Sequence, residues 1–357
     1  MLESRATAAL IETDAVIVGA GPVGLFQVFE LGLLEVHTHV IDSLPVAGGQ
    51  CIELYADKPI YDIPGTPACT ARELIERLLL QIKPFSATFH FGQQVSLVER
   101  QPDGRFRVET SKGLRLLAKT IFIASGVGSF QPRRLKIDGL AAFEDVQLFY
   151  AAPDAARFAG QRVIVIGDGD AALECALRLA TDGPQRAAAV TLMHRRDEFK
   201  AAPDTLAEVA RRRAAKQLDF IAGQAVGFDQ NDGRMTSLTV ATPQGSNATV
   251  PLDALIVLTG LSPKLGPIAD WGLALERKQL VVDTEKFQTS VPGIFAVGDV
   301  NTYPGKKKLI LCGFHEAALA AYGAIAHITP EKAVHLEYTT TSSRLHKALG
   351  VAPEAGL

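Results

Sequence analysis

Two glycine-rich turns lie far apart in this 357-residue chain, and each follows a β-branched apolar run. The first is Ala15-Val16-Ile17-Val18 leading into Gly19-Ala20-Gly21-Pro22-Val23-Gly24. The second is Val163-Ile164-Val165-Ile166 leading into Gly167-Asp168-Gly169-Asp170-Ala171-Ala172. Each reads as a buried parallel strand, a tight turn and the start of a helix. In that geometry backbone N–H groups and a helix dipole receive a pyrophosphate. One such turn is a weak sign, since an ordinary strand–helix corner can look the same. Two, with different companions, point to two dinucleotides held by one protein.

The companions assign the two turns. After the first, the strand Val36–Ile41 ends at Asp42, where a carboxylate can accept hydrogen bonds from both hydroxyls of an unphosphorylated ribose. It would repel a 2′-phosphate, so this site suits FAD or NAD, with Gly19, Gly21 and Pro22 at the turn. After the second, the strand 189–193 ends in His194-Arg195-Arg196, with Lys200 shortly beyond and no acid at the strand end. Two guanidinium groups there suit bidentate binding of a phosphate dianion. This site reads as NADPH, with Gly167, Gly169, Asp170 and Ala171 at the turn. A solvated charge pair is the plainer alternative, but the arginines stand where the acid is expected.

The chain is long enough for two domains, each with its own core. Hydrophobic residues make up 47% and charged residues 21%, a globular balance. A net charge of −3 gives no basic excess to suggest a nucleic-acid partner. The first apolar run leads into a glycine turn, so it does not read as a signal peptide. No stretch approaches the roughly 20 apolar residues that span a bilayer. Cys51, Cys69, Cys175 and Cys312 are scattered, without a CxxC pair or metal-ligand spacing. These features suggest a cytoplasmic protein with reduced thiols and no metal site.

Strands and helices alternate as in a doubly wound α/β fold. A helix over 70–82 has Thr70 as N-cap and Glu73 as capping-box partner. Short alternating strands near 96–100 and 106–110 read as an antiparallel meander. The second half repeats this plan, with a hairpin joined through Asn231-Asp232-Gly233. The segment from Ser290 to Asp299 is a strand that stops at Gly298-Asp299, and a long apolar helix follows from about Phe314 to His327. No glycine turn leads that segment, so it reads as a return to the first domain. The expectation is two Rossmann-like, three-layer domains, the second inserted in the first: 1–129 and 288–357 for FAD, 130–287 for NADPH. The crossings near Phe130 and Phe287 are short and should act as hinges.

These motifs resemble two-dinucleotide flavoprotein reductases of the thioredoxin-reductase type. The carrying residues are Gly19 to Leu25, Asp42 with Gly48-Gly49-Gln50, Ala124-Ser125-Gly126, Gly167 to Ala172, His194-Arg195-Arg196 and Gly298-Asp299. The redox CxxC of thioredoxin reductases, expected just ahead of the second turn, is absent. The segment Leu54-Tyr55-Ala56-Asp57-Lys58-Pro59-Ile60-Tyr61-Asp62 is similar instead to ferredoxin/flavodoxin–NADP reductases of this fold, and so is the tail from His335 to Ser343. One departure is Ala56-Asp57, where that motif usually has Pro-Glu.

The resemblance implies a role for each matching position. Asp42 would bind the adenosine ribose of FAD, and Gln50 would contact the flavin side. Tyr55 would stack on one flavin face, Val95 would meet the adenine region, and Phe130 would line the flavin. Asp299 would hold the ribityl and pyrophosphate end. In a homodimer, the tail of one subunit would cover the flavin of the other, with Tyr338 over its second face and Thr340 hydrogen-bonded near the ring.

The implied reaction passes a hydride between nicotinamide and flavin and single electrons to ferredoxin or flavodoxin. The cofactors carry that chemistry, and no protein base is required. Neither His194 nor His315 stands out for acid–base work. The run Lys306-Lys307-Lys308 could steer an acidic partner. Two rivals stay open: a thiol-free relative reducing another acceptor, such as free flavin or a quinone, and a non-catalytic flavin and NADPH sensor.

Overall fold

The strands Ile11–Val18 and Arg162–Ile166 each lie between two parallel neighbours in two separate sheets. Their stretches Ala15–Val18 and Val163–Ile166 are apolar and buried on both faces, as in a parallel sheet covered on both sides. The computed structural model describes residues 9–181, 183, 186–331 and 337–351, and the backbone but not the side chain of Phe130. The chain forms two units, one running through Ser129 and resuming at Lys264, the other spanning Phe130–Pro263.

In the first unit the parallel order is Thr88–His90, Thr38–Ile41, Ile11–Val18, Arg115–Ile123 and Ile294–Ala296. Strands Phe106–Thr110 and Val95–Arg100 extend antiparallel from Arg115–Ile123. Helix α1 (Pro22–Leu33) follows the first glycine turn, and the short α2 (Gln50–Tyr55) follows the second glycine pair. Helix α3 (Ala71–Ile82) begins as its sequence dictates: Thr70 Oγ1 accepts from Glu73 N–H at 3.1 Å, and Thr70 N–H donates to Glu73 Oε2 at 2.8 Å. Its buried face, Leu74, Ile75, Leu78 and Ile82, has helical spacing. Helix α1 packs against α3.

In the second unit five parallel strands run in the order Leu148–Phe149, Ala254–Val257, Arg162–Ile166, Ala189–His194, Asp219–Ala222. Helices α4 (Asp170–Leu179) and α5 (Pro203–Ala214) cover one face. The antiparallel sheet of Gln224–Asn231, Arg234–Ala241 and Asn247–Pro251 covers the other. Side-chain alternation along one strand shows the three layers. Val163 and Val165 join the core under the helices, while Ile164 and Ile166 join the core under the antiparallel sheet.

The return to the first unit lies at Lys264, earlier than the expected 287. Ile268, Leu273, Leu280, Val282 and Phe287 are buried in the core of the first unit. This stretch holds only two- and three-residue strands and a 3₁₀ turn, so its sequence has no periodicity to show which core it joins. The first crossing falls at Phe130 as expected, in the short strand Ser129–Pro132, which pairs with Leu261–Lys264 at the second. Helix α6 (Ile310–Ile328) packs against α1, and α7 (Ser343–Leu349) ends the described chain. Among the described residues no helix is long and apolar enough to cross a membrane.

Candidate functional site

The first cradle is built around Gly19. Its N–H donates to the Ile41 carbonyl at 2.8 Å, and its φ of 110° is open to glycine but strained for other residues. A Cβ here would stand 2.5 Å from the Ala124 carbonyl oxygen, and one on Gly24 would stand 1.9 Å from the Gly19 carbonyl oxygen. Both glycines are therefore demanded by the protein's own packing. Gly21 is different. Its φ is −70°, and a Cβ on it would meet nothing within 4 Å. It caps α1 without a side-chain hydrogen bond, and the first turn of α1 carries no acid. Gly48 N–H donates to the Ala20 carbonyl at 2.8 Å, which brings Gly49 across the Gly21 turn. Ser125, beside Gly19, has a buried Oγ with no hydrogen-bond partner. A glycine with no internal need for its missing side chain and an orphaned hydroxyl both fit a bound polar group.

Asp42 lies against this turn and is 8% exposed. Its Oδ2 accepts from Ala20 N–H at 2.6 Å, and its Oδ1 accepts from Leu44 N–H at 2.8 Å. Burial raises its pKa above the ordinary carboxylate value, opposed by those backbone donors. The Gln50 amide nitrogen points at Gly126, 2.6 Å from where a Cβ would stand. Tyr55 closes α2, its hydroxyl 3.4 Å from Cys51 Sγ, and burial pushes its pKa upward. The Asp299 carboxylate acts on both Cys51 and Tyr55, so Gln50, Tyr55 and Asp299 border the same part of this unit.

The second cradle repeats the frame in the other unit. A Cβ on Gly167 would stand 2.5 Å from the Leu258 carbonyl oxygen, as one on Gly19 would from Ala124. Gly169, like Gly21, has an ordinary φ of −101° and open space, with only the Lys200 carbonyl oxygen at 3.9 Å. The loop after the strand Ala189–His194 is sewn to this turn. Lys200 N–H donates to the Asp168 carbonyl at 2.7 Å, and Asp170 Oδ1 accepts from Ala202 N–H at 2.8 Å. Asp170 thus holds the loop that carries Lys200, with Ala171 beside it in the first turn of α4. Arg195 and Arg196 are exposed at the strand end. Among the described residues neither is held by a carboxylate, whereas Arg211, Arg212 and Arg213 nearby in sequence are all paired.

The remaining expected site residues are Val95, Phe130, Tyr338 and Thr340. Val95 is 2% exposed in the core, two residues after Gln93, whose N–H donates to the Asp42 carbonyl. The side chain of Phe130 lies outside the described residues. Tyr338 is 66% exposed, and the structure does not bring it or Thr340 to Tyr55 within the chain. Arg344 Nη1 donates to the Leu33 carbonyl at 3.2 Å and ties the tail to the end of α1 remote from its glycine turn.

Lys306 overturns the reading of three surface lysines. Its side chain is 7% exposed and forms an ion pair with Glu316, which is 0% exposed, so it cannot meet a partner's surface. Only Lys307 and Lys308 are exposed. Burial of Lys306 follows from Glu316, an acid inside an otherwise apolar helix, which needs a cation or several donors. The sequence signal was present: Glu316 is the only acidic residue in α6.

A model of the pyridine nucleotide-disulphide oxidoreductases matches residues 13–322. Similar proteins named ferredoxin–NADP reductase include one from Polaromonas sp. (strain JS666), 63% identical over 96% of this chain and 93% of that protein. Another, from Albidiferax ferrireducens, is 64% identical over 96% of both. The chain belongs to the pyridine nucleotide-disulphide oxidoreductase family and, within it, to the ferredoxin–NADP reductases. It is an oxidoreductase. Among solved structures it resembles a thioredoxin reductase from Lactococcus lactis, 25% identical, with a TM-score of 0.55, covering 89% of this chain and 99% of that one. The fold is also that of a bacillithiol disulfide reductase from Staphylococcus aureus, 17% identical, with a TM-score of 0.59 over 89% of this chain and 99% of that one. The cysteines of this chain are all free.

Proposed function

We propose that the first unit holds FAD, the second NADPH, and that the protein passes electrons between NADPH and a one-electron carrier protein, ferredoxin or flavodoxin. The observation that carries this reading is the pair Gly21 and Gly169. Neither needs to be glycine for its φ or for the atoms around it, so each is explained by a ligand backbone that must come close. The cysteines give no CxxC relay, which favours direct transfer to a carrier over disulfide chemistry.

The chain's own residues bind and orient. Asp42 accepts from the adenosine ribose, and the α1 amides and Ser125 receive the pyrophosphate. Val95 contributes near the adenine through its backbone, since its side chain is in the core. Asp299 and Gln50 fix the flavin end, with Phe130 at the crossing. Tyr55 covers one flavin face and excludes water. Arg195, Arg196 and Lys200 hold the 2′-phosphate, while Asp170 keeps the Lys200 loop in place. The bound flavin supplies the conversion between hydride and single electrons. Tyr338 and Thr340 cover the flavin of a second copy, because their anchor at Leu33 is about 18 Å of helix from their own glycine turn. The four free cysteines favour a cytoplasmic location.

Purified protein should be yellow, NADPH should bleach it without oxygen, and cytochrome c should be reduced rapidly only when ferredoxin or flavodoxin is added. Bleaching without carrier dependence would favour another acceptor. Colour without bleaching would leave a binding module.

A further inference from the structure

Glu316 is wholly buried in α6, yet it receives four donors. Gly298 N–H and Asn301 Nδ2 donate to Oε2 at 2.7 and 2.8 Å. Tyr303 Oη donates to Oε1 at 2.9 Å, and Lys306 Nζ completes the set. Lys306 Nζ also donates to the Gly298 carbonyl at 2.8 Å. Both ends of the Gly298 backbone unit, N–H and C=O, are therefore held by one ion pair. Asp299 follows directly. Gln279 reinforces the turn by donating to the carbonyls of Asp299 and Asn301 at 3.3 and 2.9 Å.

A buried ion pair is weak support for stability, because desolvating two charges offsets their attraction. A pair that fastens one peptide beside a ligand-facing carboxylate has another use. We infer that Glu316 and Lys306 are a positioning pair for Asp299: Glu316 holds the Gly298 N–H, and Lys306 bonds both Glu316 and the Gly298 carbonyl that precedes Asp299. This rests on the reading of the first unit as the FAD site. The charged and titratable groups facing Asp299 are Lys306 and Lys308 from the following loop, Glu316 from α6, and Cys51 and Tyr55 from α2. Burial raises Asp299, Lys306 and Lys308 oppose that rise, and Glu316 adds to it. Removing Lys306 alone would leave the mutually repelling charges of Asp299 and Glu316 with one cation fewer.

The test is FAD binding to flavin-stripped protein, followed by flavin fluorescence from pH 5 to 9, with thermal stability measured in parallel. Lys306→Met should weaken FAD binding at least tenfold and move the acid-side loss of affinity to higher pH by about one unit. The double variant Lys306→Met/Glu316→Gln removes both charges at similar volume, and should return the acid-side loss toward wild type. Asp299→Asn should abolish that loss. A Lys306→Met protein with weaker binding and an unmoved pH profile would reduce the pair to a structural feature and overturn the inference. So would unchanged affinity, or a double variant as displaced as the single one. Should Lys306→Met not fold, the double variant decides alone: a profile displaced from wild type overturns the inference. A wild-type protein that takes up no FAD would overturn the cofactor reading first, and this inference with it.

Discussion

The two cradles share a frame and differ at the strand end. In the first, the strand Thr38–Ile41 ends at a buried carboxylate, Asp42, which is hydrogen-bonded to the turn itself. In the second, Ala189–His194 ends in two exposed guanidinium groups that no carboxylate among the described residues holds. A carboxylate locked to the turn suits neutral hydroxyls, and exposed guanidinium groups suit a dianion. The helix junctions differ too: Gly24 lets α1 approach the Gly19 carbonyl, whereas Ala172 sits at the matching place and its Cβ fills the space beside Gly167. In the proposed reading the frame makes a dinucleotide site, and the residues at its rim choose the dinucleotide.

The largest effect should come from separating the two kinds of glycine. Gly24→Ala forces a Cβ onto backbone and should destabilise the protein by about 1–3 kcal/mol or more. Gly21→Ala should change stability by no more than about 1 kcal/mol, as expected at a helix cap, yet strongly impair FAD uptake. Gly169→Ala should do the same to NADPH. Thermal denaturation and cofactor titration check both. A Gly21→Ala protein with full FAD would break the comparison at its base.

The rim comes next. Each charged hydrogen bond to the 2′-phosphate is worth about 1.5–3 kcal/mol, so Arg195→Ala/Arg196→Ala should raise the NADPH constant at least a hundredfold. NADH should change little. A double variant that keeps its preference for NADPH would remove the difference between the cradles.

Acid should act on the first unit. His39 is 6% exposed, stacked on His90, and its Nδ1 lies 2.9 Å from His90 Nε2. Burial first, then the charges of His90 and His37, lowers its pKa from 6.5 to about 4. The unfolded chain therefore binds a proton that the native state refuses. Stability present above pH 6.5 is lost as pH falls toward 4, by about 1–3 kcal/mol. Thermal melts of His39→Gln should show a flatter dependence across that window. An unchanged slope would assign the acid sensitivity to other groups.

Much of this frame was legible because it is local. A β-branched run, a glycine spacing and a strand-end charge lie within thirty or so residues of one another, and the capping box of α3 spans four. What was not legible depends on distant packing. Nothing local marks the return at Lys264, since its short strands gain their place only by pairing with Asn301–Thr302. Lys306 reads as one of three similar lysines until Glu316, ten residues on, is brought beneath it by α6. Val95 carries no local sign that its side chain turns into the core.

Removing the chain after Lys332 sharpens the comparison from the other side, because only the first cradle should respond. The proposed anchors Asp42, Gln50, Tyr55 and Asp299 remain, so FAD should stay bound with a shifted absorbance spectrum. Loss of one aromatic stacking partner is worth about 0.5–1.5 kcal/mol, or roughly a two- to tenfold change in FAD affinity. Tyr338→Ala should reproduce most of it, and NADPH affinity should not move. An unchanged flavin spectrum in both variants would place Tyr338 away from the ring.

The smallest effect belongs to Lys307 and Lys308, the two exposed members of the lysine run. They follow Asp299 closely, and the carrier proteins expected to dock are acidic. Charge at the rim of an interface acts mainly on association rate and is screened within about 8–10 Å at physiological salt. Lys307→Glu/Lys308→Glu should therefore slow carrier-linked cytochrome c reduction by roughly three- to tenfold at low ionic strength, and hardly at all at high salt. Lys308 also helps hold Asp299 in its charged form, so FAD content must be checked alongside. Ferricyanide reduction should be spared, because a small acceptor needs no docking surface. An equal fall in both activities would mean that the pair acts on the first cradle through Asp299. No change in either would make the pair solvated surface and send the search for the docking face elsewhere.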